Sequence, residues 1–222
     1  MSASNATDGE SRGLSPALWI FALLAIAGAV AAFLVFARPL SRHANAEEAN
    51  ESAMEPPRRL PDFELSSMTG EKVTAASLRG RPSVVEFFFT TCPICALMNQ
   101  GFQRLQRELP PEVRLISITV DPEHDTAEAL QAYAARHDAD PARWLFLRGE
   151  LDTICDVMEQ GFGYMRAANP AMHSLRFALV DADGELVKTY SPIEFGDDDE
   201  KSLSDAELSA LVRDARQLLT KR

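Results

Sequence analysis

At 222 residues, 46% of them hydrophobic and 25% charged, the chain is long enough for one full-sized core and too apolar to be wholly disordered. A formal net charge of -11 argues against an electrostatic grip on nucleic acid or anionic lipid and reads as solubility. Three cysteines are too few for a disulfide scaffold, so the close pair Cys92 and Cys95 is the feature to explain.

Residues 1–16 form a short N-terminal tail. Residues 17–37 then run from Ala17 to Ala37 without a charge, and about 20 apolar residues suffice to span a bilayer as a helix. Ala44-Asn45-Ala46 has the small-x-small look of a cleavage site. Yet the apolar run exceeds the roughly 7–15 residues of a signal peptide, and Asp8 and Glu10 leave Arg12 as the only cation before it. The segment is therefore expected to be an uncleaved transmembrane anchor. Arg38 and Arg42 follow it, which by the positive-inside rule weakly favours a cytoplasmic C-terminal side. Residues 38–60 are polar, acidic in the middle, and end in the region of Pro56-Pro57, as a tether would.

A folded domain is expected over residues 61–222. Phe63 and Leu65 alternate with polar residues before the turn signal Thr69-Gly70, predicting a short hairpin. Ser83 to Phe89 is β-branched and aromatic, and predicts a central strand. The spacing from Cys95 to Leu109 predicts a helix, with Leu97, Met98, Phe102, Leu105 and Leu109 near one face. Val113 to Val120 predicts a second strand, and Asp125-Thr126-Ala127-Glu128 has the form of a capping box opening a helix through about His137. A short strand is expected at Trp144–Leu147 and a helix over Leu151–Gln160. Leu175–Val180 and Leu186–Tyr190 flank Asp181-Ala182-Asp183-Gly184 as an antiparallel hairpin. Ser204-Asp205-Ala206-Glu207 opens a terminal helix to about Leu219. Strands alternating with helices before a closing hairpin predict an α/β fold with a mixed sheet flanked by helices. The acidic run Asp197 to Glu200 reads as a solvated loop.

The dithiol stands at a strand-to-helix junction. There the helix N-terminus favours a thiolate at Cys92, and Pro93 suits the first helical turn, where its missing donor costs nothing. One turn separates the two sulfurs, so the pair can close a disulfide or hold a soft metal ion. Zinc would ask for a fourth ligand that the sequence does not offer; copper(I) is satisfied by two thiolates and one imidazole. Of four histidines, His43, His124 and His137 read as exposed. His173 stands just before an apolar strand, where a thioredoxin-like topology brings the chain to face the dithiol. Cys155, in an apolar-periodic stretch, reads as core.

The chain resembles the Sco/SenC family of cytochrome c oxidase assembly proteins. The resemblance covers about Pro61 to Tyr190. It rests on Leu78-Arg79-Gly80, on Phe87-Phe88-Phe89-Thr90-Thr91-Cys92-Pro93, and on Ser117 to Thr126. It continues in Trp144 to Gly149 and in His173 followed by Leu179 to Gly184. It implies a thioredoxin-like fold and a membrane tether with the domain on the extracytoplasmic (periplasmic) side. It also implies a copper ion held by Cys92, Cys95 and His173, and delivery to the copper-bearing subunit of cytochrome c oxidase. One departure is plain: the family places three residues between its cysteines and a proline after the second, whereas only Pro93 and Ile94 intervene here and Ala96 follows. That shorter spacing is shared with thiol–disulfide oxidoreductases. Under that alternative Cys92 attacks a partner disulfide and Cys95 resolves the mixed disulfide, both acting as catalytic thiols.

Overall fold

The computed structural model describes residues 58–165, 173–196 and 200–220, all within the compact unit Pro56–Arg222. The run at 17–37 lies outside the described residues, and among those described no helix is long and apolar enough to cross a membrane.

Seven strands form one mixed sheet. β1 (Glu64–Ser67) and β2 (Lys72–Thr74) pair antiparallel through a turn at Gly70, whose φ of 85° is open to glycine at no steric cost. A single helical turn, α1 (Ala75–Leu78), is closed by a reciprocal cap between Thr74 and Ser77. β3 (Ser83–Phe88) is buried at every position, as expected of a strand covered on both faces. It pairs parallel with β4 (Arg114–Thr119), and β4 pairs parallel with β5 (Trp144–Arg148). β6 (Phe177–Val180) runs antiparallel to β3, and β7 (Leu186–Tyr190) antiparallel to β6. The order across the sheet is β2-β1-β5-β4-β3-β6-β7.

Helices cover both faces. On one, Val84 and Phe88 of β3 and Leu115 of β4 meet α2 (Cys95–Glu108), α3 (Ala127–Arg136) and α5 (Asp205–Thr220) through Met98, Phe102, Tyr133, Leu208 and Leu211. On the other, Val85, Phe87, Ile116 and Ile118 meet Leu78 and the segment after β5. That segment is α4 (Leu151–Asp156) followed by a wider π-helical turn, Val157–Gly161. Each fully buried large apolar side chain contributes about 1.5–3 kcal/mol relative to exposure, so both layers are needed to hold the sheet. The mixed sheet flanked by helices is the fold class the sequence predicts.

Some details differ from the sequence reading. The chain joins the sheet by Arg58, where Leu186 N–H donates to the Arg58 carbonyl at 2.7 Å, and Leu60 is already buried. Thr126, not Asp125, caps α3 by accepting from Ala129 N–H at 3.2 Å. A separate hairpin of β8 (Ile193–Phe195) and β9 (Lys201–Leu203) follows β7, unforeseen in the sequence. Of the acidic run, residues 197–199 lie outside the described residues, and Glu200 is exposed.

Candidate metal and thiol centre

The parallel strands β3, β4 and β5 all end at one edge of the sheet, where open α/β folds gather their functional loops. β3 delivers Cys92 four residues past its end. The chain turns through Pro93 and Ile94, and α2 starts at Cys95. Pro93 thus stands in the turn before the helix, not in its first turn. No side chain of Ile94 caps α2; instead Cys95 N–H donates to Cys92 Sγ at 3.2 Å, so the sulfur receives a helix-terminal donor. Cys92 and Cys95 are joined as a disulfide, with Cα atoms 5.2 Å apart.

His173 arrives from the opposite direction. β6 runs antiparallel to β3 with Ala178 beside Val85. Carrying that register four residues on brings Ser174 level with Phe89, and so His173 to the mouth of the cysteine loop. Its ring meets Phe89 edge-on, with centroids 5.6 Å apart. Nε2 lies 3.2 Å from Cys95 Sγ and 3.6 Å from Cys92 Sγ. The three ligand atoms all fall within 4.8 Å of one another, and all three residues are buried, at 6%, 0% and 6% exposure for Cys92, Cys95 and His173.

The imidazole is held for one role. Nδ1 lies 3.0 Å from the Ser174 carbonyl, which can only accept, so Nδ1 carries the hydrogen and Nε2 presents its lone pair to the sulfurs. Burial pushes the imidazole below its ordinary value, outweighing the Ser174 and Phe87 carbonyls that favour the charged form. A neutral, oriented nitrogen beside two sulfurs is a soft donor set. It suits copper(I) once the thiols are reduced, and among the described residues no fourth His, Cys, Asp or Glu joins the cluster to complete a zinc tetrahedron.

The loop before Cys92 is anchored by a residue the sequence reading assigned to a helix cap. Asp125, 1% exposed, accepts from Thr90 N–H at 3.2–3.3 Å and from the hydroxyls of Thr90 and Thr119. Arg148 closes the other side, donating to the carbonyls of Asp125 and Pro122 at 3.0 and 2.9 Å. The second missed residue is Glu86, wholly buried in β3. Its Oε1 accepts from Ser117 Oγ at 2.6 Å, and Ser117 Oγ accepts from Trp144 Nε1 at 2.8 Å. A charge inside the apolar run Ser83–Phe89 was the available signal.

The other sequence candidates fall apart from the cluster. His124 is exposed and bonded to Asp121, which raises its pKa. His137 is half-buried rather than exposed, its ring tilted against that of Tyr133 with centroids 4.5 Å apart at the end of α3. His43 lies outside the described residues. Cys155 is buried in α4, as core. Beside the dithiol a shallow groove of about 560 Å³ is lined by Pro93, Ile94, Leu97, Leu175, Phe195 and Lys201.

Comparison with known proteins agrees with this geometry. The family model described as SCO1/SenC matches residues 51–206. A SCO1 protein homolog of Bacillus subtilis (strain 168) is 31% identical over 143 residues, spanning 60% of this chain and 73% of that one. The solved structure of BsSco, a member of the Sco family of cytochrome c oxidase assembly proteins in which a disulfide switch was identified, superposes with a TM-score of 0.61. It is 25% identical and covers 77% of this chain and 99% of its own. Bradyrhizobium japonicum ScoI, solved with copper bound, superposes at a TM-score of 0.55 and 23% identity, covering 71% of this chain and 98% of its own; at that identity it attests the fold.

Proposed function

Because the chain belongs to the SCO1/SenC family, we propose that it is a membrane-anchored copper chaperone that holds copper(I) on Cys92, Cys95 and His173. Its cargo would go to the copper-bearing subunit of cytochrome c oxidase. The observation that carries this reading is the cluster itself: two sulfurs and a lone-pair nitrogen within 4.8 Å, on three buried side chains. BsSco, an oxidase assembly protein, supports the choice of destination, and a putative copper-binding protein of Stutzerimonas stutzeri, 29% identical over 158 residues, supports the choice of metal. Loading requires reduced thiols, since a disulfide has no thiolate to give. An anaerobic copper(I) titration of the reduced full chain in mild detergent, against a chromophoric chelator, is expected to give tight one-to-one binding. No competition with the chelator would sink the copper reading.

The apolar run at 17–37 supports the anchor, and the family resemblance supports a periplasmic domain. The full chain is expected to stay with the membrane pellet after alkaline carbonate extraction. In intact cells a cysteine placed in the tether should react with an impermeant thiol reagent. Extraction into the supernatant would refute the anchor; an unreactive tether cysteine would refute the orientation.

A second reading is favoured by the closed C-x-x-C disulfide. Cys92, the less buried of the pair, would attack a partner disulfide and Cys95 would resolve it. The two activities share one reduced state and can belong to one protein.

A further inference from the structure

The metal cluster makes no use of the apolar groove beside it. Ile94 and Leu97 line that groove from the start of α2, and Leu175 lines it from the segment that brings His173. Phe195 and Lys201 line it from the β8–β9 hairpin. The hairpin is fixed at its base. Ile193 is buried, Ser204 N–H donates to the Pro192 carbonyl at 2.8 Å, and Leu203 packs over Gly101 of α2, where an added methyl would lie 3.4 Å from it. Toward the turn, Gly196 N–H donates to the Glu200 carbonyl at 2.7 Å, yet Phe195 is left 62% exposed. A lone exposed apolar residue needs no explanation. One that shares a groove with three half-buried apolar residues, two positions from a reactive sulfur, forms a patch of the kind that marks an interaction site. The charge around that edge of the sheet is mostly negative. The segments after β4 and β5 expose Glu123, Glu128 and Glu150, and the hairpin exposes Glu194 and Glu200, against the exposed cations Arg176 and Lys201. The whole chain carries -11.

We propose that this groove docks a protein partner through an extended, cysteine-bearing segment, with an apolar side chain beside the cysteine and lysine or arginine flanking it. This rests on the reading that the dithiol meets a partner's cysteines, whether to pass copper(I) or to exchange a disulfide. Three observations select that occupant. The groove is continuous with the reacting centre, since Pro93 and Ile94 line it and adjoin Cys92 in the chain. Residues of an extended segment follow one another at about 3.3 Å, so a side chain one or two positions from the partner's cysteine reaches the groove while its sulfur stays at Cys92. The lining is apolar on both sides, from Ile94, Leu97 and Leu175 on one and Phe195 on the other, which suits one inserted apolar side chain. The surrounding carboxylates favour a cationic segment, whose approach they would speed at low salt. That same charge argues against a second copy of this chain, which would bring -11 to a surface already negative. Phe195 and its hairpin thus add partner selection to a centre whose chemistry lies in Cys92, Cys95 and His173.

The probes are synthetic peptides with one cysteine, carried as its mixed disulfide with thionitrobenzoate. Leucine or serine stands beside the cysteine, and lysines or glutamates flank it. Each is mixed with the reduced full chain in mild detergent. The Cys92 thiolate attacks the peptide sulfur, a Cys92–peptide disulfide forms, and the bond to thionitrobenzoate breaks. That group leaves as a coloured anion, so absorbance gives the rate, which is divided by the rate of the same peptide with 2-mercaptoethanol. The leucine–lysine peptide is expected to react about tenfold faster than either the serine–lysine or the leucine–glutamate peptide, and only the second gap should close in high salt. Phe195→Ser, at an exposed position outside the core, should erase the leucine preference and leave the rate with the disulfide of free cysteine unchanged. Lys201→Glu should widen the lysine preference severalfold. Equal rates for all the peptides, or a leucine preference that survives Phe195→Ser, would overturn the proposal. If the free-cysteine disulfide reacts and the peptides do not differ, only the groove is lost; if nothing reacts, the partner-facing reading of the dithiol is lost with it. A wild-type dimer in sedimentation that Phe195→Ser dissolves would give the groove to a second copy and overturn the proposal too.

Discussion

Replacing His173 with alanine is expected to weaken copper(I) binding by roughly a hundredfold or more, while leaving the disulfide able to form. The magnitude follows from the number of ligands. Structural metal sites with four side-chain ligands are worth about 10–16 kcal/mol, so one ligand accounts for about 3 kcal/mol, and each 1.4 kcal/mol is tenfold. The remaining pair can still bind copper(I), but with an open position and without the nitrogen that Ser174 holds in the correct tautomer. Disulfide formation uses only Cys92 and Cys95 and should persist. The comparison is direct: chelator competition for affinity, and thiol counting before and after mild oxidation for the pair. Unchanged affinity in His173→Ala would remove the imidazole from the site. The opposite pattern, intact affinity with a lost disulfide, would mean that His173 serves exchange alone.

Asp125→Ala should be the most damaging substitution outside the cluster itself, at about 3–4 kcal/mol. The carboxylate collects the Thr90 N–H and two threonine hydroxyls in a site 1% exposed, so its removal orphans three donors at once. A hydrogen bond to a charged group is worth about 1.5–3 kcal/mol, and an orphaned buried donor costs about as much. For a domain of this size that corresponds to a melting point lower by roughly 10 °C. Because Thr90 stands two residues before Cys92, copper affinity should fall as well, by roughly tenfold to a hundredfold, as when the groups that orient metal ligands are lost. Asp125→Asn, which can still accept but also brings an unwanted donor, should lie between. Denaturation of the three proteins decides the matter; a loss under about 1 kcal/mol for the alanine variant would show that the loop holds itself.

What the sequence made legible was whatever depends on local pattern. The run Ser83–Phe88 could only be a central strand, and Cys95 to Glu108 carries a helix with one apolar face. His173 was readable because it immediately precedes an apolar strand whose place beside β3 follows from the topology. Less legible was whatever tertiary contact decides. Asp125 and Thr126 are both good N-caps; which one caps α3 depends on Thr90 and Thr119, distant in the chain or on another element, drawing Asp125 away. Glu86 was hidden in the opposite way. It sits in a run apolar enough to pass as uniform, although a strand covered on both faces leaves a charge no solvent to turn toward. The hairpin β8–β9 has three-residue strands around an acidic run, too short for alternation to register.

The antiparallel pairing of β6 with β3 carries a consequence for which lengths in this site can vary. Only Ser174, Leu175 and Arg176 separate His173 from the start of β6, and side chains along an extended segment switch faces with each residue. An insertion there would swing the imidazole away from the sulfurs, whereas the cysteine loop projects beyond the end of β3 and disturbs no register when its length changes. The nitrogen is the fixed jaw of the clamp and the sulfurs the adjustable one. A loop of only two residues, Pro93 and Ile94, can therefore close both sulfurs on the same imidazole.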